Sequence, residues 1–142
     1  MPRISRTELF AGILELVAER STCDRKHVGA ILVREGRILA IGYNGSPPGL
    51  PHCQDYGCIP GPDGGCLRTQ HAEANLIAFS AKEGIITKGA DIWSTLSPCL
   101  PCAKLIASAG IKTLYFKEKY RDQEGLDFLI RCNVSFSLYG PA

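Results

Sequence analysis

The sequence has no excess of either charge. Its 142 residues carry 16 Lys and Arg against 14 Asp and Glu, a formal net charge of +2. That gives no electrostatic case for a polyanion such as DNA or for a membrane surface. A small phosphorylated ligand needs only one local basic pocket and stays open. Long apolar runs are missing as well. The opening stretch MPRISRTELFAGILELVAER is interrupted by Glu8, Glu15 and Glu19 and reads as neither a signal peptide nor a membrane span. A cytoplasmic setting is therefore expected, in which thiols stay reduced. There is no internal repeat, low-complexity tract or linker, and the length suits one domain over residues 1–142.

Hydrophobic residues make up 45% and charged residues 21%, ordinary for a globular protein. Seven cysteines are present. An odd number excludes complete pairing within the chain, and in a reducing setting clustered Cys and His point to metal rather than disulfides. Ser5-Arg-Thr-Glu8 has capping-box spacing, and Leu9, Phe10, Ile13, Leu14 and Val17 then follow helical periodicity. VGAILV (28–33) and RILAIG (37–42) read as a hairpin turning at Glu35-Gly36. GYNGSPPGLP breaks regularity, and an irregular loop is expected to run to about Arg68. Next come a helix over 71–82, a strand over 91–95, a helix ending at Gly110, a strand over 111–116, a helix over 122–132 and a strand over 134–138. Such alternation predicts an α/β fold, with parallel pairing and a sheet covered by helices.

The sharpest signal is the pair T-Q-H-A-E (69–73) and S-P-C-L-P-C (97–102), each where a loop meets a predicted helix. Cys99 and Cys102 are three apart, so both thiols can face one way in a first turn. Pro98 suits a helix start. A helix N-terminus favours thiolate, the form that binds metal. His71 completes three ligands, which leaves a tetrahedral zinc one position for water, the catalytic arrangement. Glu73, two residues on, is placed to move protons. H-x-E followed by P-C-x-x-C is the zinc nucleobase-deaminase signature.

Beyond these motifs the chain resembles the deoxycytidylate (dCMP) deaminases of the cytidine deaminase superfamily. The likeness runs through S-T-C (21–23), V-G-A-I-L-V (28–33), G-Y-N-G-S-P-P-G (42–49), H-C (52–53), C-L-R-T-Q-H-A-E-A-N (66–75), T-L-S-P-C-L-P-C-A-K (95–104), A-G-I-K (109–112) and Tyr120. It implies a three-layer sandwich, a mixed five-stranded sheet with helices on both faces and the last two strands parallel. It implies conversion of dCMP to dUMP and ammonia, with a zinc-activated water attacking C4 and Glu73 protonating N3 and then the departing amine. It implies that Asn44 bonds the deoxyribose, the Ala72 backbone the base carbonyl, and the region of Ser97 the exocyclic amine. Arg25, Lys26 and Tyr120 are the phosphate candidates. The family implies a homohexamer activated by dCTP, with Mg2+ as a companion of that effector, and inhibited by dTTP. Its regulatory site lies near Gly42, Tyr43, Asn44, Gly45 and Ser46. The alternatives are a deaminase of another cytosine nucleotide such as dCTP, or a catalytically silent zinc or nucleotide-binding module.

HCQDYGCIPGPDGGC (52–66) is too rich in Gly and Pro to read as a helix or a strand. With His71, Cys99 and Cys102 assigned, and Cys132 read as an ordinary buried thiol, Cys23, Cys53, Cys58 and Cys66 remain. Four thiols can close a structural zinc site and order a loop that has little apolar content. Some relatives hold a second zinc through positions matching Cys23 and Cys53. The alternative is four reduced, metal-free thiols. His52 and His27 stand in reserve, His52 as the likelier substitute ligand.

Overall fold

The structure, a computed structural model, describes residues 2–23, 26–62 and 65–140. Helix α1 (Arg6–Glu19) starts as its spacing predicts: the Ser5 side chain caps it by accepting from the Glu8 N–H at 3.0 Å. Strands β1 (Gly29–Arg34) and β2 (Arg37–Tyr43) form the hairpin. Glu35 and Gly36 both have positive φ, the geometry of the primed turns that join twisted antiparallel strands.

After the hairpin come α2 (Cys53–Tyr56), α3 (Ala72–Glu83), β3 (Asp91–Leu96), α4 (Leu100–Ser108), β4 (Thr113–Glu118), α5 (Glu124–Arg131) and β5 (Ser135–Leu138). The strands form one sheet in the order β2-β1-β3-β4-β5. β1 pairs antiparallel with β2 and β3, and the β3–β4 and β4–β5 pairs are parallel. The mixed sheet with its last two strands parallel is thus the expected one. No helix among the described residues is long and apolar enough to cross a membrane.

Both faces of the sheet are covered, and β1 shows why the strand has no polar side. Ala30 and Leu32 point into the cluster under α3, α4 and α5, with Leu76, Ile106, Leu126 and Leu129. Ile31 and Val33 point the other way, against Phe10 and Leu14 of α1 and Trp93 of β3. Alternate residues project to opposite faces, so a strand between two helical layers is apolar throughout. Leu14, Leu76 and Leu129 are each 0% exposed. Truncating any one to Ala would cost about 2–5 kcal/mol.

Two expectations need correction. The 52–66 stretch is not wholly irregular: Cys53–Tyr56 makes a single helical turn closed by Gly57 at φ +81. Four residues are too short to carry a periodicity. Cys132 is exposed rather than buried. Helix α5 ends at Arg131, and Asn133 at φ +59 turns the chain, so the apolar stripe of Leu126 and Leu129 is not continued to Cys132.

Candidate active site

His71 is the N-cap of α3 and Cys99 the N-cap of α4, both with extended backbone. Cap residues normally satisfy a free helical N–H with their side chains. Neither does here, so both donors face elsewhere. Cys102 follows in the first turn of α4, which also holds Pro101; Pro98 lies just outside the helix. His71 Nδ1 lies 3.3 Å from Cys99 Sγ and 3.4 Å from Cys102 Sγ. All three donor atoms fall within 4.8 Å of one another. A tetrahedral zinc with Zn–S of about 2.3 Å and Zn–N of about 2.05 Å sets neighbouring S and N about 3.6 Å apart. The distances and the soft N/S donor set fit that ion.

The thiols share a proton unevenly. The Cys99 thiol is pulled down to about 4 by the hydrogen bond from Cys102, helped by His71. The Cys102 thiol is pushed up by Cys99 and by burial. Contact with Cys99 also raises the His71 imidazole above its ordinary value.

Glu73 is buried, 4% exposed, in the first turn of α3. Burial pushes its carboxyl up to about 7. A carboxyl near neutrality can both take and release a proton, as a shuttle must. A cation at the triad would pull it back down.

Glu73, His71 and Cys99 line a cleft of about 340 Å³, open mouth included, together with Lys26, Asn44, Ser97 and Tyr120. Asn44 is buried, and its side chain is engaged within the protein: Oδ1 accepts from the Ala72 N–H at 2.8 Å and Nδ2 donates to the Lys26 carbonyl at 3.1 Å. The Ala72 N–H is therefore already bonded. At the mouth, Lys26 Nζ sits 4.3 Å over the Tyr120 ring and the Arg121 guanidinium 5.6 Å from it. Arg121 was not foreseen from the sequence. Its only signal was its place beside Tyr120 in KEKYRD. Arg25 lies outside the described residues.

Residues 4–118 match the family model described as the cytidine and deoxycytidylate deaminase zinc-binding region. The chain belongs to the cytidine and deoxycytidylate deaminase family. It is 49% identical over 121 residues to ComE operon protein 2 of Bacillus subtilis, covering 85% of this chain and 64% of that protein. It is 38% identical over 131 residues to the mouse deoxycytidylate deaminase, covering 82% and 67%. The matched stretch thus spans about two thirds of these curated relatives. The crystal structure of dCMP deaminase from cyanophage S-TIM5, in complex with dCMP and dUMP, superposes with TM-score 0.84 at 34% identity, covering 97% of this chain and 99% of that one.

This chain of the deaminase family also gathers the four remaining thiols. Cys23, Cys53, Cys58 and Cys66 place their sulfurs within 4.8 Å of one another. Cys23 and Cys58 are 3.6 Å apart, and Cys53 and Cys66 3.5 Å. A tetrahedral zinc with Zn–S of about 2.3 Å sets neighbouring sulfurs about 3.8 Å apart. A disulfide would need about 2.05 Å, and none of the four is disulfide-bonded. Burial raises the Cys53 thiol. The Cys58 thiol is pushed up to about 12 by Cys53 and Cys23. At Cys66 burial acts upward, but hydrogen bonds with the backbone of Ile59, Arg68 and Thr69 outweigh it and bring the thiol to about 6.

The reserve histidines stand apart from the cluster among the described residues. His52 Nδ1 accepts from Ser46 N–H at 3.4 Å and meets Thr22 Oγ1 at 2.9 Å. His27 is exposed. Gly42, Tyr43, Gly45 and Ser46 line a separate groove between β2 and α3, with His52 and Lys82 among its walls. Asn44, between them, faces the cleft that holds Glu73 instead. The expected regulatory set is thus divided between two cavities.

Proposed function

We propose that the protein is a zinc-dependent deaminase that hydrolyses dCMP to dUMP and ammonia. The observation that carries this reading is a cleft lined by His71, Cys99 and the buried Glu73 carboxyl, with Cys102 Sγ 3.4 Å from His71 Nδ1, and with Lys26 and Tyr120 shared with the adjoining cavity that Arg121 lines. Zinc on these three donors would supply a water whose pKa is lowered toward about 7. Glu73 carries one proton to ring N3 and a second to the amine leaving C4. Water supplies the oxygen left on C4, so the products are dUMP and ammonia. The Ser97 carbonyl, which accepts no hydrogen bond from the described residues, takes one from the amine. The Asn44 amide has a further N–H for the deoxyribose hydroxyl. The Ala72 N–H is shared between Asn44 and the base carbonyl. Lys26 and Arg121 face the phosphate, and Arg25, next to Lys26 in sequence, is a further candidate for it.

We also assign Cys23, Cys53, Cys58 and Cys66 to a second, structural zinc that fixes the loop leading to His71. The β2–α3 groove, about 760 Å³ out to its mouth, is the assigned site for dCTP, with Mg2+ on its phosphates, and for dTTP. Assembly as a homohexamer and work in the cytoplasm, supplying deoxyuridylate, complete the reading.

The test is a turnover assay with dCMP, dCTP and cytidine, each with and without dCTP or dTTP as effector, beside a metal count. Turnover of dCMP and two zinc ions per chain are expected. Turnover of another nucleotide with none of dCMP would overturn the substrate; one zinc would overturn the second site.

A further inference from the structure

The two ends of the cleft are joined by one short arm. β3 ends at Leu96, whose ladder partner is Glu118 of β4. A continued parallel ladder would have Ser97 donate to the Glu118 carbonyl and accept from the Tyr120 N–H through its own carbonyl. The first bond is present, at 2.8 Å. The second is replaced: the Tyr120 N–H donates to Ser97 Oγ at 2.6 Å. The hydroxyl stands in for the backbone acceptor. That frees the Ser97 carbonyl, which accepts no hydrogen bond among the described residues. It also ties the arm bearing Tyr120 and Arg121 to the turn bearing Cys99.

Burial makes the tie effective. Ser97 is 2% exposed, so water competes poorly for Oγ. A second contact holds the same junction. A Cβ on Gly125, in the first turn of α5, would collide with the Pro98 carbonyl and lie 3.0 Å from the Cys99 carbonyl. The chain beyond the arm therefore packs directly on the metal turn, which only glycine permits here.

We infer that the Ser97 hydroxyl is a positioning residue that sets the Tyr120–Arg121 arm, and with it the discrimination of a nucleotide from its nucleoside. The inference rests on the dCMP reading above. Ser97 Oγ does not touch the phosphate; it fixes the backbone of the residue over which Lys26 sits and beside which Arg121 projects.

The experiment measures dissociation constants of dUMP and deoxyuridine by calorimetry on the zinc-loaded protein. Product ligands carry no exocyclic amine, so they remove the Ser97 carbonyl from the comparison. In Ser97→Ala the preference for dUMP over deoxyuridine is expected to fall roughly three- to tenfold, the worth of one buried hydrogen bond. Ser97→Thr keeps the hydroxyl and is expected to restore it. Arg121→Ala is expected to cost less dUMP affinity in the Ser97→Ala background than alone, because coupled residues are not additive. An unchanged preference in Ser97→Ala, or an equal cost of Arg121→Ala in both backgrounds, overturns the inference while the substrate reading stands. A wild-type protein without any preference for dUMP overturns both.

Discussion

Replacing Glu73 by Gln keeps the shape of the side chain and removes its charge and its exchangeable proton. The carboxyl is 4% exposed and is raised by burial from 4.5 to about 7. A difference of about 2.5 pKa units is roughly 3 kcal/mol of cost for holding the ionised form folded, at a pH above 7 and without metal. The same change removes the only carboxyl among the described residues that line the cleft. Loss of a positioned proton carrier lowers turnover by about 10²- to 10⁴-fold, or roughly 3–5 kcal/mol of barrier. Glu73→Gln should therefore be slower and more stable at once. Turnover of dCMP, zinc content by atomic absorption, and urea unfolding before and after chelation measure the three quantities. The stability gain should be larger after chelation, because a bound cation offsets the buried negative charge. Near-normal turnover with zinc retained would remove Glu73 from proton transfer. Lost turnover accompanied by lost zinc would show that Glu73 supports the metal turn instead.

Three further outcomes are expected. Cys58→Ser should lower the metal count by one ion per chain while leaving the His71–Cys99–Cys102 ion in place, and should speed proteolysis within residues 52–66; an unchanged count refutes the four-thiol site. Gly42→Ala should destabilise by about 1–3 kcal/mol in urea unfolding and slow turnover as well, because its Cβ would fall 2.5 Å from the Ala72 carbonyl and 2.9 Å from Leu76 Cβ, on the helix that His71 caps and whose first turn holds Glu73; wild-type stability would show that β2 and α3 separate at no cost. Tyr139→Phe should stabilise by about 1 kcal/mol at pH 8, since the Tyr139 hydroxyl is buried with no partner among the described residues. Burial raises that phenol from 10.0 to about 12, so wild-type stability should be full below pH 10 and decline as pH rises through 12. The Phe variant lacks this share of the decline, and identical profiles for the two proteins would refute the reasoning.

Much of the architecture was legible because it is local. The Ser5 cap, the Glu35-Gly36 turn and Gly110 at φ +75 after α4 are each decided by a few neighbouring residues. The element order then leaves few ways to build a sheet, since a helix between strands carries the chain back to a parallel position. The triad was legible for the same reason. Cys99 and Cys102 share a first turn, and His71 opens another helix that crosses the same end of the sheet.

What stayed hidden depends on distance along the chain. Nothing local says that Cys23 meets Cys58 across 35 positions, that His52 turns to Thr22 and Ser46, or that Asn44 spends its amide on Ala72 and Lys26. Cys132 read as buried because free cysteine is among the most buried residue types, yet the end of α5 leaves it exposed. Arg121 reads as one more surface charge until β4 brings its arm beside the Cys99 turn. The sequence by itself determined the elements, their order and the donors that chemistry would need, because caps, turns and periodicity act over a few residues. Only the tertiary structure decided which donors share a cleft and which bonds are already taken, because strand register and helix packing set those distances.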